Sequence, residues 1–577
     1  MAALRKILPG CLLLSGLLVC PTLLHARSDG PLTDLNPPAS ASAPPHSAVL
    51  FSTRWERPEA LATATAFGAT HVTWLYPKTR DYLAALKAAG LQVGSTLNAN
   101  QAVPDEGLAR SLEGEALIAP WMQAWKARWI SVSSQASRKA LVDAAERHMA
   151  WGASEIQFDD PALATASFNW GGDFSDAAVQ NFGRWLTGPG VGLFPDLPAE
   201  TRSGSFDYRR WLQGQGRGLG STPAYLARRT RLSLNPAWER FHLEEVRGFF
   251  NELRQRLHAA SPAVALNLNL TNPRPDARSF NLIDLADGVM SETSAGDLAN
   301  AALGAATVQG VGASYHPSLQ PQDVAATRRQ IAGFYALGAL PLVPWDVYMP
   351  DLIGPDKQRT AQPRYFGRAE DYADLYRFVR ANPDLFDRRE GLASVLLICQ
   401  VEHFKAAEVL DIVRALQARQ IPFALMVARS AYPARTLDAQ RIAQAPAVIF
   451  ASAFSGLDAA SQRALDAVAH TRITLADLDA ARGRLAPLQV DGDGILALPR
   501  FDPARPQELI VHLLRSGDTR PGAVTLSLNP ALLPFRQIRR VDLYSPARPA
   551  AQTVPVQGLA FSVPLEGEWA TLRIQLQ

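Results

Sequence analysis

Two neighbouring carboxylic acids end a short alternating stretch of the sequence, and their residue types suit acid–base or nucleophilic chemistry. In residues 155–161 (EIQFDDP), polar and apolar side chains alternate with the period of a β-strand. Gln157 and Asp159 fall on one face of this predicted strand, whereas Asp160 falls on the opposite face. Asp159 is therefore the favoured nucleophile and Asp160 the reserve. The alternative is that either aspartate caps the turn or helix that follows.

A second strand that ends in an acid occurs near the middle of the chain. Residues 288–292 (GVMSE) place Glu292 just before a loop. Apolar neighbours such as Met290 could raise the pKa of Glu292 by desolvation, and a protonated carboxyl group can donate a proton to a leaving oxygen. Glu292 is therefore predicted to be a general acid. A helix cap or a salt-bridged loop residue is the other interpretation of the same position.

Strands and helices alternate along the first part of the mature chain and would bring these acids together. We predict eight strands, separated by helices and loops, in a (β/α)8 TIM barrel. In such a barrel, residues at the carboxyl ends of the strands carry the chemistry. The predicted strands are 48–53, 70–76, 91–97, 155–159, 263–270, 287–292, 306–313 and 340–346.

Polar and aromatic residues at or near the ends of other predicted strands are candidate ligands for a substrate. Amides can bind hydroxyl groups, and flat aromatic faces can stack on sugar rings. For Trp345, core packing is the alternative. The candidates are Asn98, Trp170, Asn267, Asn269, Tyr315, His316, Trp345 and Asp346.

Two further domains are predicted after the barrel, which we assign to residues 48–390. Residues 391–500 alternate apolar strands with helices, as in a small doubly wound α/β domain. Its Cys399 ends an apolar strand and has no nucleophile-elbow sequence around it, so we expect a non-catalytic domain that is structural or forms a homo-oligomer. Residues 501–577 contain short strands separated by Pro and Gly, which predicts a β-sandwich.

Composition and the N-terminus restrict the class of protein. With 57 basic and 54 acidic residues in 577, the chain is too balanced in charge for a nucleic-acid-binding protein. Residues 1–26 read as a secretory signal peptide, and lipidation at Cys20 is the less favoured alternative. Residues 27–47 read as a disordered linker. We expect an exported protein, periplasmic or extracellular, without a later transmembrane segment.

The predicted order of domains resembles that of family 42 β-galactosidases. The local likeness lies in residues 156–161 and in a Gly-rich loop and Phe-x-x-Trp-Leu helix at residues 171–186. Family 42 has an Asn-Glu pair ending strand four and a Glu nucleophile on strand seven. Here strand four ends in Asp159-Asp160, and residues 306–316 contain no acid. The acids are instead similar in strand position to those of the α-galactosidase-like clan, which implies Asp159 as nucleophile and Glu292 as acid/base.

The sequence therefore predicts a glycoside hydrolase that acts on an oligo- or polysaccharide with paired carboxylates. The alternative is a catalytically inactive barrel that binds carbohydrate during the assembly or export of an envelope polysaccharide. Neither a cofactor nor a metal is expected, because adjacent aspartates would face opposite ways and no His or Cys cluster is present.

Overall fold

The first part of the chain forms a curled parallel sheet surrounded by helices. The computed structural model describes residues 35–577 except 215–218, 295, 322, 350–362, 469, 493, 516–521, 534 and 536. Seven strands pair in chain order, each parallel to the next. They are β1 (Leu50–Arg54), β2 (His71–Leu75), β3 (Gln92–Asn98), β4 (Glu155–Asp159), β5 (Ala265–Asn269), β6 (Gly288–Ser294) and β7 (Ser314–Gln320).

An eighth segment closes the sheet into a barrel. The amides of Leu340 and Leu342 donate to β7 carbonyls, at 2.8 and 2.9 Å. On the other side, the amide of Val343 donates to the Leu50 carbonyl of β1 at 2.8 Å, and Val343 forms a parallel bridge with Phe51. The eight-stranded barrel that the sequence predicts is therefore confirmed.

The predicted seventh strand, residues 306–313, is wrong. The first half of that stretch, residues 306–309, belongs to the helix Leu298–Gln309, and the strand begins only at Ser314. Asp297 caps this helix by accepting a hydrogen bond from the Asn300 amide, and the helix is rich in alanine, the strongest helix former. Strand seven still contains no acidic residue.

The helices that cover the barrel are amphipathic or largely buried, and their apolar faces pack on the outward side chains of the strands. The excursion between β4 and β5 forms short helices with an aromatic core of their own. The helices of this part are Ala60–Phe67, Arg80–Ala88, Gln135–Ala150, Leu163–Ser167, Asp176–Thr187, Pro189–Leu193, Tyr208–Gly214, Thr222–Arg228, Asn235–Ala260, Leu298–Gln309, Val324–Ala336, Ala369–Ala381 and Pro383–Phe386.

A three-stranded parallel sheet follows the barrel. Val395–Gln400 lies at its centre, between Phe423–Ala428 and Ala447–Phe450. Cys399 is fully buried on the central strand, and burial raises the pKa of its thiol, so the side chain is a protonated core residue. Helices connect and flank these strands at Ala406–Ala418, Ala439–Gln444, Ala459–Asp466 and Leu478–Leu485.

The chain ends in two antiparallel sheets that enclose a separate apolar core, as predicted for a β-sandwich. Strands Leu488–Asp491 and Ile495–Phe501 pair within these sheets, although the predicted boundary at residue 500 left them to the α/β domain. The six-stranded sheet also includes Glu390–Gly391, and the remaining strands of the two sheets are Glu508–Arg515, Val524–Leu528, Ile538–Ser545, Arg548–Val554, Val556–Gln557, Ala560–Val563 and Trp569–Leu576.

The second half of the predicted disordered linker packs on the fold. Leu35 is completely buried, and its carbonyl accepts a hydrogen bond from Arg441 at 2.7 Å. The amide of Ser47 donates to Asp387 at 2.7 Å. Apolar burial and these bonds hold residues 35–47, whereas the predicted signal peptide lies outside the described residues. No helix in the described part of the chain is long and apolar enough to cross a bilayer.

Candidate active site

Asp159 and Glu292 meet at the mouth of the barrel. Asp159 ends β4, and Glu292 lies near the end of β6. Between them on β5, Nδ2 of Asn269 donates to Oδ1 of Asp159 at 2.7 Å and to Oε1 of Glu292 at 2.9 Å. These two oxygens are thus no farther apart than those two lengths together. The alternation of three neighbouring strands places all three side chains on the inner face.

Two further donors fix the other oxygen of Asp159. The hydroxyl of Tyr76, just after β2, donates to Oδ2 at 2.5 Å, and Nδ2 of Asn98 at the end of β3 lies 3.3 Å from the same oxygen. Both oxygens of Asp159 therefore accept hydrogen bonds, which fix the orientation of the carboxyl group. The sequence pointed to Asn98 and Asn269 as candidate ligands, whereas Tyr76 was missed.

A buried arginine is the second residue that sequence reasoning missed. Arg54, the last residue of β1, is only 1% exposed, and its guanidinium lies 3.1 Å from the ring centre of Trp74. Its Nη2 is 3.5 Å from Oγ of Ser318 on β7. Asp159 and Glu292 both stabilise the charged form of Arg54, which opposes the lowering of its pKa by burial. An arginine at the end of a predicted barrel strand was the signal that could have identified it.

The surroundings of Glu292 favour its protonated form. Burial raises the pKa of Glu292, and the nearby Asp159 carboxylate raises it further. Arg54 and the hydrogen bond from Asn269 act in the opposite direction. The pair therefore suits a division of labour, with a proton held at Glu292 and a negative charge at Asp159.

Asp160 also faces this site, contrary to the expectation that adjacent aspartates point in opposite directions. Its backbone has a φ of 55°, in the left-handed region, because the strand has already ended. Burial raises the pKa of Asp160 well above that of an ordinary aspartate, and the charges of Asp159 and Glu292 raise it further. A hydrogen bond from Trp121 acts in the opposite direction. Three carboxyl groups thus share one region, although no group of three or more His, Cys, Asp or Glu within the described residues could hold a metal ion.

Trp170 belongs to an aromatic cluster beside Asp160. Its ring centre is 6.0 Å from that of Trp121 and 5.4 Å from that of Trp129, both at nearly right angles. Trp170 and Trp121 are partly exposed, whereas Trp129 is buried. The loop after β4 therefore packs Trp170 against Trp121, the partner of Asp160, and not against the acids themselves.

Asn267 and His316 lie one layer deeper in the barrel. Asn267 precedes Asn269 by two residues on the same face of β5 and pairs with Gly288. A side chain added at Gly288 would meet both Asn267 and His316, so these residues surround that glycine. Both are about 1% exposed, and the structure does not bring them to the carboxyl pair.

Three other predicted ligands, Tyr315, Trp345 and Asp346, do not face the carboxyl pair. Tyr315 points outward, against Phe334 and the helix that contains Gly304. Trp345 is 5% exposed and stacks on Phe51 with ring centres 5.0 Å apart, as in the core-packing alternative.

Asp346 is fully buried, and its carboxylate is occupied by two arginines. Arg57 binds it through two hydrogen bonds of 3.0 Å, and Arg364 forms a second ion pair. These bonds leave Asp346 a structural role in place of the predicted contact with hydroxyl groups.

Comparison with solved structures finds the same overall fold, a barrel followed by β-sandwich sheets, over most of this chain in several carbohydrate-active enzymes. An α-L-fucosidase isoenzyme 2 from Paenibacillus thiaminolyticus is 11% identical, with 92% of this chain and 99% of that chain covered and a TM-score of 0.55. A β-galactosidase from Bacillus circulans sp. alkalophilus is 12% identical, with coverages of 91% and 98% and a TM-score of 0.56. A cold-adapted β-galactosidase from Rahnella sp. R3 is 13% identical, with coverages of 94% and 100% and a TM-score of 0.56.

The likeness is one of fold alone, because the identities are so low. No protein-family model matches the chain, and no curated protein matches it by sequence.

Proposed function

We propose that the protein is a glycoside hydrolase that cleaves an O-glycosidic bond in an oligo- or polysaccharide. Asp159 is the nucleophile and Glu292 the general acid/base. The observation that carries this proposal is the single Asn269 amide nitrogen bound to both carboxyl groups. The overall likeness to a fucosidase and to β-galactosidases supports the same class of reaction.

The short distance between the acids favours a retaining mechanism. Carboxyl groups about 5 to 5.5 Å apart are typical of retention, whereas about 6.5 to 9.5 Å leaves room for the water of an inverting enzyme. Oδ1 of Asp159 and Oε1 of Glu292 lie 2.7 and 2.9 Å from the same Asn269 nitrogen, so the distance between these two oxygens cannot exceed the sum of the two values. Such a spacing suits direct attack by Asp159 on the sugar.

The reaction would proceed in two displacements. Glu292 donates its proton to the leaving glycosidic oxygen while Asp159 attacks the anomeric carbon, so that a covalent glycosyl ester forms and the C–O bond breaks. Glu292, now ionised, then removes a proton from water, which attacks the anomeric carbon and releases Asp159. The hydrogen bonds from Tyr76 and Asn98 hold the attacking carboxylate in position between these steps.

Substitution of each acid tests the assignment. Asp159→Asn and Glu292→Gln should each lower kcat on a glycan that the wild type hydrolyses, by about a thousandfold or more. Asp143→Asn, an exposed helix substitution, is the matched control and should leave kcat unchanged. Proton NMR of the first product formed should show the anomeric configuration of the substrate; an inverted product would contradict the role of Asp159 as nucleophile.

A screen of purified mature protein against a panel of glycans supplies the substrate for these assays. If the protein binds glycans but hydrolyses none of them, the inactive carbohydrate-binding barrel is the correct description.

We further propose that the protein is exported, on the basis of the signal-peptide pattern in residues 1–26. Cell fractionation should recover it outside the cytoplasm, and its N-terminal sequence should begin after Ala26. Extraction only with detergent, with a modified Cys20 at the N-terminus, would favour the lipid anchor instead.

A further inference from the structure

Exposed aromatic side chains in the described part of the chain gather at the mouth of the barrel. Trp55 is 39% exposed, Trp125 51% and Phe366 41%. Trp55 directly follows β1, and Phe366 lies in the strand that pairs with residues 345–348 beyond the barrel's closing segment. The large exposed side chains elsewhere are aliphatic: Val191, Leu193, Val324 and Leu475. Exposed rings at a cleft often mark a ligand-binding surface.

Trp55 is separated from the proposed nucleophile by one tyrosine. Its indole stacks on Tyr76 with ring centres 5.1 Å apart and an angle of 27° between the planes. The hydroxyl of Tyr76 in turn donates to Asp159. One face of the indole is thus supported by protein, and the side chain remains well exposed next to the catalytic pair.

Trp125 approaches the same site from another direction. It ends the short helix Pro120–Trp125, and its ring centre is 6.4 Å from that of Tyr348. The guanidinium of Arg54 lies 5.5 Å from the centre of the same tyrosine ring. Arg54 interacts electrostatically with both Asp159 and Glu292, so one ring and one guanidinium separate Trp125 from the acids.

The helix that carries Trp125 is fixed at its other end beside Asp160. Trp121, one turn earlier, packs against Trp129 and Trp170 and hydrogen-bonds Asp160. The helix therefore extends from the β4 side of the mouth to Tyr348, beyond the segment that closes the barrel. This anchoring holds the exposed indole of Trp125 in a defined position, although the helix is short.

We propose that Trp55 and Trp125 are stacking platforms for sugar units outside the carboxyl pair, so that the protein binds a chain of several linked sugars. This inference rests on the proposed function, because it assigns additional binding positions to the same site. A pyranose ring presents a face of C–H groups that packs on an indole, and large rigid rings gain contact area at a low cost in side-chain entropy. Tyr76 lies between Trp55 and Asp159, and Tyr348 with Arg54 lies between Trp125 and the acids, so both indoles are placed for sugar units beyond the one that reacts.

The test compares ligands of different length. Full-length mature protein carrying Asp159→Asn, which prevents turnover, is applied to an array of cello-, chito-, galacto- and manno-oligosaccharides, each as mono-, tri- and hexasaccharide. We expect preferential binding of a hexasaccharide, and about tenfold weaker binding of it after Trp55→Ala or Trp125→Ala. Trp55→Phe and Trp125→Phe should retain most of the affinity, and Leu475→Ala, with 42% exposure, is the control.

Each result bears on the inference separately from the proposed hydrolysis. Equal binding of mono- and hexasaccharides, binding of no glycan, or unchanged affinity in both alanine variants would overturn it. Chain-length-dependent binding that the alanine variants lose, together with no hydrolysis of the bound glycans by the wild-type protein, would refute the hydrolase proposal and leave the platforms in place. Unchanged melting temperatures would show that the alanine variants are folded.

Discussion

Asp159 and Glu292 lie at or near the ends of different strands of the barrel, yet their carboxyl groups accept hydrogen bonds from the same amide nitrogen. That nitrogen belongs to Asn269, on the strand between them. The bonds hold two like charges, or one charge and one protonated acid, at a separation that neither strand could fix alone. The first prediction concerns this asparagine.

Replacement of Asn269 by alanine should lower kcat by about a hundredfold, because two hydrogen bonds to charged or acidic groups are lost. Rates on a hydrolysed glycan measure the effect. Asn267→Ala is the matched control, since Asn267 lies on the same face of the same strand but one layer below the acids. Equal losses in the two variants would show that Asn269 acts only through the packing of the barrel.

The second prediction concerns the pH dependence of kcat. Glu292 must be protonated to act as an acid, so activity should fall as pH rises through its raised pKa. Arg54 lowers that pKa, and its removal in Arg54→Met should move the fall in activity to higher pH. Arg54→Lys retains the positive charge and should stay closer to the wild type. A fall in activity at an unchanged or lower pH in Arg54→Met would contradict the proposed interaction.

A third prediction links the acid to stability. Because the pKa of Glu292 is higher in the folded than in the unfolded protein, the folded state binds more protons between those two values. Stability is therefore lost as pH rises from the ordinary glutamate pKa through the raised one.

Glu292→Gln cannot ionise, so this variant avoids the stability that the wild type loses when the buried Glu292 carboxyl group is deprotonated. At pH values above the raised pKa of Glu292, the substitution should therefore raise the free energy of unfolding by about 0.5 to 2 kcal/mol, while activity is lost. Thermal unfolding at acidic and neutral pH measures it, with exposed Glu106→Gln as the control. An equal gain at both pH values would rule out this titration as the cause.

The fourth prediction concerns the buried carboxylate of Asp346. Asp346→Asn should destabilise the protein by about 3 kcal/mol, because two arginines lose their charged partner in a buried site. Asp143→Asn, in an exposed i,i+4 pair with Lys139, should change stability by no more than about 0.5 kcal/mol. Melting temperatures compare the two. A similar small effect in both would mean that Arg57 and Arg364 are readily resolvated.

The sequence alone determined which faces of the strands carry the acids. Alternation in β4 and β5 and the acidic end of β6 put Asp159, Asn269 and Glu292 on the inner face, because successive side chains of a strand point to opposite sides. Alternation cannot separate a buried helix from a buried strand when nearly every residue is apolar. For that reason the alanine-rich helix before β7 was mistaken for a strand.

Only the tertiary structure decided which of the candidate residues meet. The closure of the barrel brings Arg54 from the first strand and Tyr76 from the second to acids on the fourth and sixth. The left-handed backbone at Asp160 turns its side chain back to the same site. No local sequence pattern predicts these contacts, because they join residues that are distant in the chain. The alternation of side chains also does not determine the backbone conformation of Asp160, which follows the end of the strand. The same closure buries Trp345 against Phe51, which no local pattern distinguishes from exposure to a sugar.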